Sequence, residues 1–350
     1  MVTRDANDKP TGLVAKKGVP GALDKLRAYS DTLQLFGVLV VLFAFFAVTE
    51  EKFLTARSIT SMGFQLPELG VLSLAMMITI LTGGINLSVN ATSNLAAVLA
   101  GFFMVRYIPA GASETQVVLY LVVALLIALG VGWVCGLFNG LLIGYVGVPP
   151  ILATLATMTL YTGIAVGLTG GTTVTGFPPQ LSVIGAQTLA GIPIPFLIFV
   201  VLTVLTHLLL YHTSFGFKAR MLGSNPTASE FSGVDNRSVL MKVYMYSGLL
   251  SAVTGILIMG RTMSAAYEYG TTTYVLLTIL IAVLANVIPG FGRVLDVFIA
   301  VLILQVLSTG FHMFLAGVRG SSFFKDFAWG VLLILIFLVN YFIRGQRSQG

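Results

Sequence analysis

The sequence predicts an all-α polytopic membrane protein of about ten transmembrane helices, some of them broken, with both termini in the cytoplasm. Three observations carry this prediction. Hydrophobic residues make up 57% of the 350 and charged residues only 9%, and the mean hydropathy of +0.96 lies far from that of a soluble domain. The interval Thr115–Phe217 contains no Asp, Glu, Lys or Arg. A water-facing domain cannot hide that much uncharged chain, whereas helices of about 20 residues each can carry it through hydrocarbon. Finally, thirteen of the 19 Lys and Arg residues fall on one side once the spans alternate, and a basic excess marks the cytoplasmic side.

In chain order, residues 1–30 are polar and basic, with Lys16, Lys17, Lys25 and Arg27. They lack the order of a secretory signal and are expected to form a cytoplasmic tail. An apolar transmembrane domain is expected over 31–343, followed by a cytoplasmic tail at 344–350. Apolar windows place spans near 32–48, 66–82, 91–105, 117–138, 150–169, 194–212, 240–260, 274–288, 294–315 and 327–343. The third and eighth are short enough to be partly re-entrant. The single Cys135 lies within a span, so neither an intramolecular disulfide nor a thiol zinc site can form. The net charge of +6 reads as a topology signal with some attraction to anionic lipid headgroups, not as nucleic-acid binding.

The segment "LTGGINLSVN" at 81–90 interrupts this apolar pattern. Gly83 and Gly84 weaken a helix and permit close backbone approach. Asn86, Ser88, Asn90 and Asn94 follow, able to cap a restarted helix and satisfy amides that hydrocarbon would leave unpaired. Two readings stand together. The residues glue helices, or they line a route for a hydroxyl-rich solute, for which neutral hydrogen-bonding groups suit release as well as binding. Asn139, between Gly136 and Gly140, reads as a helix crossing or as a further pathway group. Thr154, Thr157 and Thr159 are expected to bond back to their own helix. Glu68 and Asp296 are expected near helix starts, where carboxylates favour the dipole. His207 and His212 have no third ligand in sequence reach, so no metal site is expected.

The cytoplasmic loop at 213–239 carries its own helix signals. Asn225 suits an N-cap, Pro226 the first helical position and Gly233 the left-handed residue beyond the end. The intervening Thr227, Ala228, Ser229, Glu230, Phe231 and Ser232 make about two turns, too short to be stable without docking on something.

"LTGGINLSVN", "GLFNGLLIGYVGVPPILATLATMTLYTGIAVGLTGG" and "GFKARMLGSNPTASEFSGV" resemble, in order and spacing, the permease subunits of ribose, galactose and xylose type ABC importers. The resemblance covers about residues 35–340 and implies a type II ABC importer-like fold. It implies a cytosolic ABC ATPase, a second permease subunit and a periplasmic or extracellular solute-binding protein as partners, in a bacterial inner membrane. The helix from Pro226 to Ser232 then resembles the coupling helix that sits on the ATPase. No Gly-x-x-x-x-Gly-Lys-Ser/Thr loop is present. The chain is therefore expected to be no enzyme and to bind no cofactor, with ATP and magnesium on the partner.

The sequence departs from that family at several places. Asn86 stands where most members carry Asp, and Asn90 replaces Gly. Tyr274 is kept, but Val275 and Leu277 replace two acids of a Gly-Tyr-Glu-Leu-Asp segment. These departures suggest the divergent half of a heterodimeric permease. Nucleoside or branched-chain amino-acid permeases share the architecture, and a stand-alone ion-coupled transporter is the alternative from another class; the latter calls for acids at mid-span, and none is expected there.

Overall fold

The computed structural model describes residues 30–109 and 111–315. Residues 1–29, the span expected near 327–343 and the tail at 344–350 lie outside them. Within the described residues the chain is a helical bundle. The long helices are α1 (Ser30–Thr49), α2 (Ala56–Leu81), α3 (Val89–Tyr107), α4 (Glu114–Leu141) and α5 (Pro150–Thr169). After a short α6 (Ser182–Ala186) come α7 (Ile194–His212), α8 (Ser214–Ser224), α9 (Pro226–Phe231), α10 (Asn236–Thr262), α11 (Thr271–Leu284) and α12 (Val294–Phe314).

Seven of these are long and apolar enough to cross a membrane: α1, α2, α4 with the π-turn Leu142–Val146 that extends it, α5, α7, α10 and α12. The expected third span is the 19-residue α3, whose first turns hold Asn90, Thr92, Ser93 and Asn94 and lower its apolarity. The expected eighth is α11, whose 14 residues rise only about 21 Å, short of a hydrocarbon core of about 30 Å.

Burial sorts the helices into two layers. In α2 and α10 78% of the apolar window is buried, against 11% in α1, 22% in α7 and 28% in α4 and α5. The outer helices turn Val41, Leu119, Leu126, Leu152 and Val204 outward, as helices facing lipid do, since acyl chains are as apolar as leucine. The inner pair is approached closely because its contacts are small. Gly132, Gly136, Gly140 and Gly144 recur every fourth residue along α4 and its extension. A Cβ on them would stand 2.4 Å from Gly248 O, 2.4 Å from Tyr244 O, 2.7 Å from Met241 Cα and 2.8 Å from Arg237 O of α10. Without a hydrophobic drive between helices in lipid, such backbone-to-backbone packing is what holds them.

Two corrections to the expected boundaries matter. The second span begins at Ala56, ten residues before the expected position, and Pro67 lies inside it. Glu68 is therefore in the middle of α2 rather than near a helix start, and is 1% exposed. A buried acid does stand at mid-helix. Asp296 is in the first turn of α12, as expected, and accepts a hydrogen bond from Thr32 of α1.

The connections on the side of the α5–α7 loop are ordered, and add small sheets to the helical fold. β1 (Val174–Thr175) pairs antiparallel with β4 (Ser264–Ala265), and β2 (Thr188–Leu189) with β3 (Ile192–Pro193). Gly185 of α6 lies against the Gly260–Arg261 backbone, where a Cβ would be 2.1 Å away.

Candidate functional site

The break at 82–88 is built by a helix stop and a helix restart with different chemistry. At the stop, Gly84 N donates to Thr79 O at 3.0 Å and Gly83 N to Ile80 O at 2.9 Å, with Gly83 at φ +86°. This is the Schellman arrangement, in which a left-handed residue lets the last carbonyls of a helix find donors. Gly84 has another reason to be glycine: a Cβ there would lie 2.3 Å from the Tyr244 hydroxyl and 3.0 Å from Pro150 Cβ.

The restart does not use the expected cap. Ser88 is the N-cap of α3 but makes no side-chain cap bond; its hydroxyl instead joins a row that crosses the bundle. Thr157 Oγ1 of α5 donates to Asn139 Oδ1 of α4 at 2.7 Å. Asn139 Nδ2 donates to Ser88 Oγ at 2.8 Å, and Ser88 Oγ to Asn86 Oδ1 at 2.8 Å. Asn86 Nδ2 donates to Ser247 Oγ of α10 at 3.0 Å, which donates to Ala75 O of α2 at 2.9 Å. All five side chains are buried, and none carries a charge. The row ties together α2, α4, α5, α10 and the break itself.

Thr154 serves the same break, accepting from Leu87 N at 3.1 Å and lying 3.0 Å from Ile85 O. Thr154 and Thr157 bond back to their own helix as expected, to Pro150 O at 2.8 Å and to Thr154 O at 3.3 Å, and reach across the bundle as well. Both sit on the buried stripe of α5 with Ala153, Tyr161, Ala165 and Thr169, and that four-residue spacing is the sequence feature that points to them. Thr159, on the exposed face, does bond back, to Leu155 O at 3.2 Å.

Asn90 and Asn94 lie one turn apart on α3 and face a different element. Asn90 Nδ2 donates to Tyr269 O at 2.9 Å; Asn94 Nδ2 lies 2.8 Å from Tyr267 O and 2.9 Å from Tyr269 O. They hold the segment between β4 and α11 alongside the start of α3. The same segment brings Tyr269 to Glu68. The Glu68 carboxylate pairs with Arg261 of α10, and accepts from the Tyr269 hydroxyl at 3.2 Å and the Tyr274 hydroxyl at 3.1 Å. A carboxylate inside a bundle needs such partners, because an unpaired charge in hydrocarbon is costly. The sequence reading missed this cluster.

On the far side of α7, the loop at 213–239 folds as two helices. Asn225 caps α9 by accepting from Ala228 N at 3.0 Å, and Pro226 occupies its first position. The helix ends in a second Schellman arrangement: Val234 N donates to Ser229 O at 3.2 Å, Gly233 N to Glu230 O at 2.9 Å, and Gly233 adopts φ +77°. Asn236 fastens α9 to α10, donating to Pro226 O at 2.9 Å and accepting from Ser229 Oγ at 2.8 Å. Phe231 is 90% exposed at the tip.

His207 stacks on Tyr211 with ring centroids 4.5 Å apart, and among the described residues no group of three or more metal-ligating side chains occurs.

Residues 58–339 match the family described as "Branched-chain amino acid transport system / permease component". The chain is 29% identical over 318 residues to the autoinducer 2 import system permease protein LsrD of Yersinia enterocolitica, covering 89% of this chain and 91% of the relative. It is similar to the same extent to the LsrD proteins of Yersinia pestis and Yersinia pseudotuberculosis. No solved structure matches. A match over most of the chain, on a bundle with seven helices fit to cross a membrane, shows that the protein belongs to this permease family and is a multi-pass inner-membrane subunit of an ABC import system.

Proposed function

We propose that the chain translocates a hydroxyl-rich, sugar-type solute, and that the break at 82–88 with Asn86, Ser88, Asn90, Asn94 and Asn139 lies on its route. The observation that carries this is the uncharged row from Thr157 to Ser247. Amide and hydroxyl groups that bond one another while the route is closed are matched to a polyol that replaces those bonds as it passes. A branched-chain amino acid, the solute in the family's description, carries an ammonium and a carboxylate; the row offers no counter-charge to either, and Glu68 and Arg261 are bound to each other. That pairing also favours an ATP-driven subunit over a stand-alone ion-coupled transporter. The relatives are named for autoinducer 2 import, which makes it the first solute to test.

In this reading α9 is the coupling helix, docking through Phe231 on a cytosolic ATPase that holds ATP and magnesium. Both termini are cytoplasmic, and a solute-binding protein delivers from outside. The second permease is a different chain: Val275 and Leu277 are 4% and 8% exposed within the main apolar cluster, so this subunit fills with hydrocarbon the places where the sugar permeases it resembles usually carry acids, leaving acidic contacts to a partner. Tagging the chain, identifying what co-purifies, and measuring ATP-dependent uptake of autoinducer 2, ribose and leucine in proteoliposomes tests the reading. Uptake of leucine alone overturns the solute class; a homodimer on the ATPases overturns the heterodimer.

A further inference from the structure

Leu81 ends α2, and its carbonyl is one of those a helix terminus leaves without an internal donor. Gly290 N, from the turn between α11 and α12, donates to it at 2.9 Å. On the other side lies Gly223 in the last turn of α8. A Cβ on residue 223 would stand 1.8 Å from Leu81 O and 2.5 Å from Gly290 N. Gly290, at φ +79°, presses on the next residue of α8: its Cβ would lie 2.1 Å from Ser224 Oγ and 2.8 Å from Ser224 N. Three backbones meet here, with the Ser224 hydroxyl the one side-chain group against Gly290. One strand of the meeting runs directly into Asn225, the cap of α9; another runs directly into the Schellman stop and then Asn86 and Ser88.

We propose that Gly223, Leu81 and Gly290 form a rigid junction through which displacement of α9 moves the end of α2, and with it the polar row at the break. The inference rests on α9 being the ATPase-facing element. Contacts between side chains absorb small displacements by changing rotamer, whereas planar peptides in direct contact have no comparable freedom. α9 itself moves as a block with its neighbours, because Asn225 N donates to Met221 O of α8 at 3.1 Å, and Asn236 of α10 donates to Pro226 O and accepts from Ser229 Oγ. Gly223 and Gly290 are positioning residues in this scheme. They touch neither solute nor nucleotide.

The test uses the purified complex with its ATPase and binding protein in proteoliposomes. Gly223→Val wedges the junction; Leu81→Cys with Gly292→Cys, in a Cys135→Ala background, locks the end of α2 to the α11–α12 turn by disulfide, since a Cβ on residue 292 would stand 3.3 Å from Leu81 Cδ2. The wedged complex is expected to assemble and keep basal hydrolysis within about twofold, while stimulation by loaded binding protein is lost and uptake falls about tenfold. The locked complex is expected to transport equally with and without reductant, since the junction does not part. A wedge that leaves stimulation and uptake intact overturns the inference, as does a lock that stops uptake until reductant is added. If the wedged chain fails to accumulate, the lock decides alone. If the unaltered chain recovers no ATPase, the reading of α9 fails first, and the co-purification itself shows this.

Discussion

The Tyr244 hydroxyl of α10 faces Gly84 across the helix break, so close that a Cβ on residue 84 would stand 2.3 Å from it. It is buried and makes no hydrogen bond. An unsatisfied buried hydroxyl costs about 1–3 kcal/mol. The break as packed thus carries that penalty.

Removing that hydroxyl is therefore expected to stabilise the fold. Tyr244→Phe should raise the unfolding free energy in detergent by about 1 kcal/mol, and Gly84→Ala should lower it by about 1–3 kcal/mol through overpacking. The double variant should lose less than the sum, because the phenyl ring leaves room for the methyl. Thermal unfolding of the four proteins, followed by intrinsic fluorescence, measures the cycle.

Asn139 is the one side chain of the row that both accepts from α5 and donates to the break. Asn139→Leu should cost about 2–4 kcal/mol by removing at once the acceptor of the Thr157 hydroxyl and the donor to the Ser88 hydroxyl. Thr157→Val removes one end of the row only, and should cost about 1 kcal/mol. The same unfolding assay ranks the two variants; equal losses would show that the row does not act as described.

Two glycines of α4 should respond oppositely to alanine. Gly136→Ala places a methyl 2.4 Å from Tyr244 O and should destabilise by about 2 kcal/mol or more. Gly130, with nothing within 4 Å of the added atom, should gain up to about 1 kcal/mol from helix propensity. Unfolding midpoints of the purified variants test both signs.

Glu68 and Arg261 should be worth less together than apart. Glu68→Gln leaves the guanidinium without its carboxylate and Arg261→Met leaves a buried carboxylate with only two tyrosine hydroxyls, the second costing about 3–5 kcal/mol. The double variant should recover part of that loss. Expression level and unfolding midpoint of the three proteins decide it.

Phe231→Ser should leave the unfolding midpoint unchanged, since 90% of the side chain is outside the fold, and should reduce recovery of the ATPase with the tagged chain by about tenfold if this ring is an anchor in a partner's groove. Quantitative blotting of the co-purified subunit measures the ratio.

Composition and periodicity made the membrane bundle legible, because the cost of burying charge acts on every span alike. The short helix after Asn225 was legible for a local reason: its cap, its first-position Pro and its terminal Gly all lie within nine residues. Glu68 was misplaced because Pro67 beside it looked like a helix start, and only the packing of α2 shows that the helix passes through. The buried stripe of α5 marks Thr157 as inward-facing, but neither it nor Ser247 was legible as a partner of the break. Their bonds join residues far apart in sequence, and a hydroxyl that could return to its own helix carries no mark that it instead crosses to another.

One backbone amide settles the polarity of the whole polar row. Ser88 N donates to Asn86 Oδ1 at 3.1 Å, so the Asn86 amide cannot exchange its oxygen and nitrogen without setting two N–H groups against each other. With Asn86 fixed, Ser88 must donate toward it, Asn139 toward Ser88, and Thr157 toward Asn139. The side chains from α5 to α10 are therefore set as one sequence of donors and acceptors, and reversing any one of them strands its neighbours without their partner.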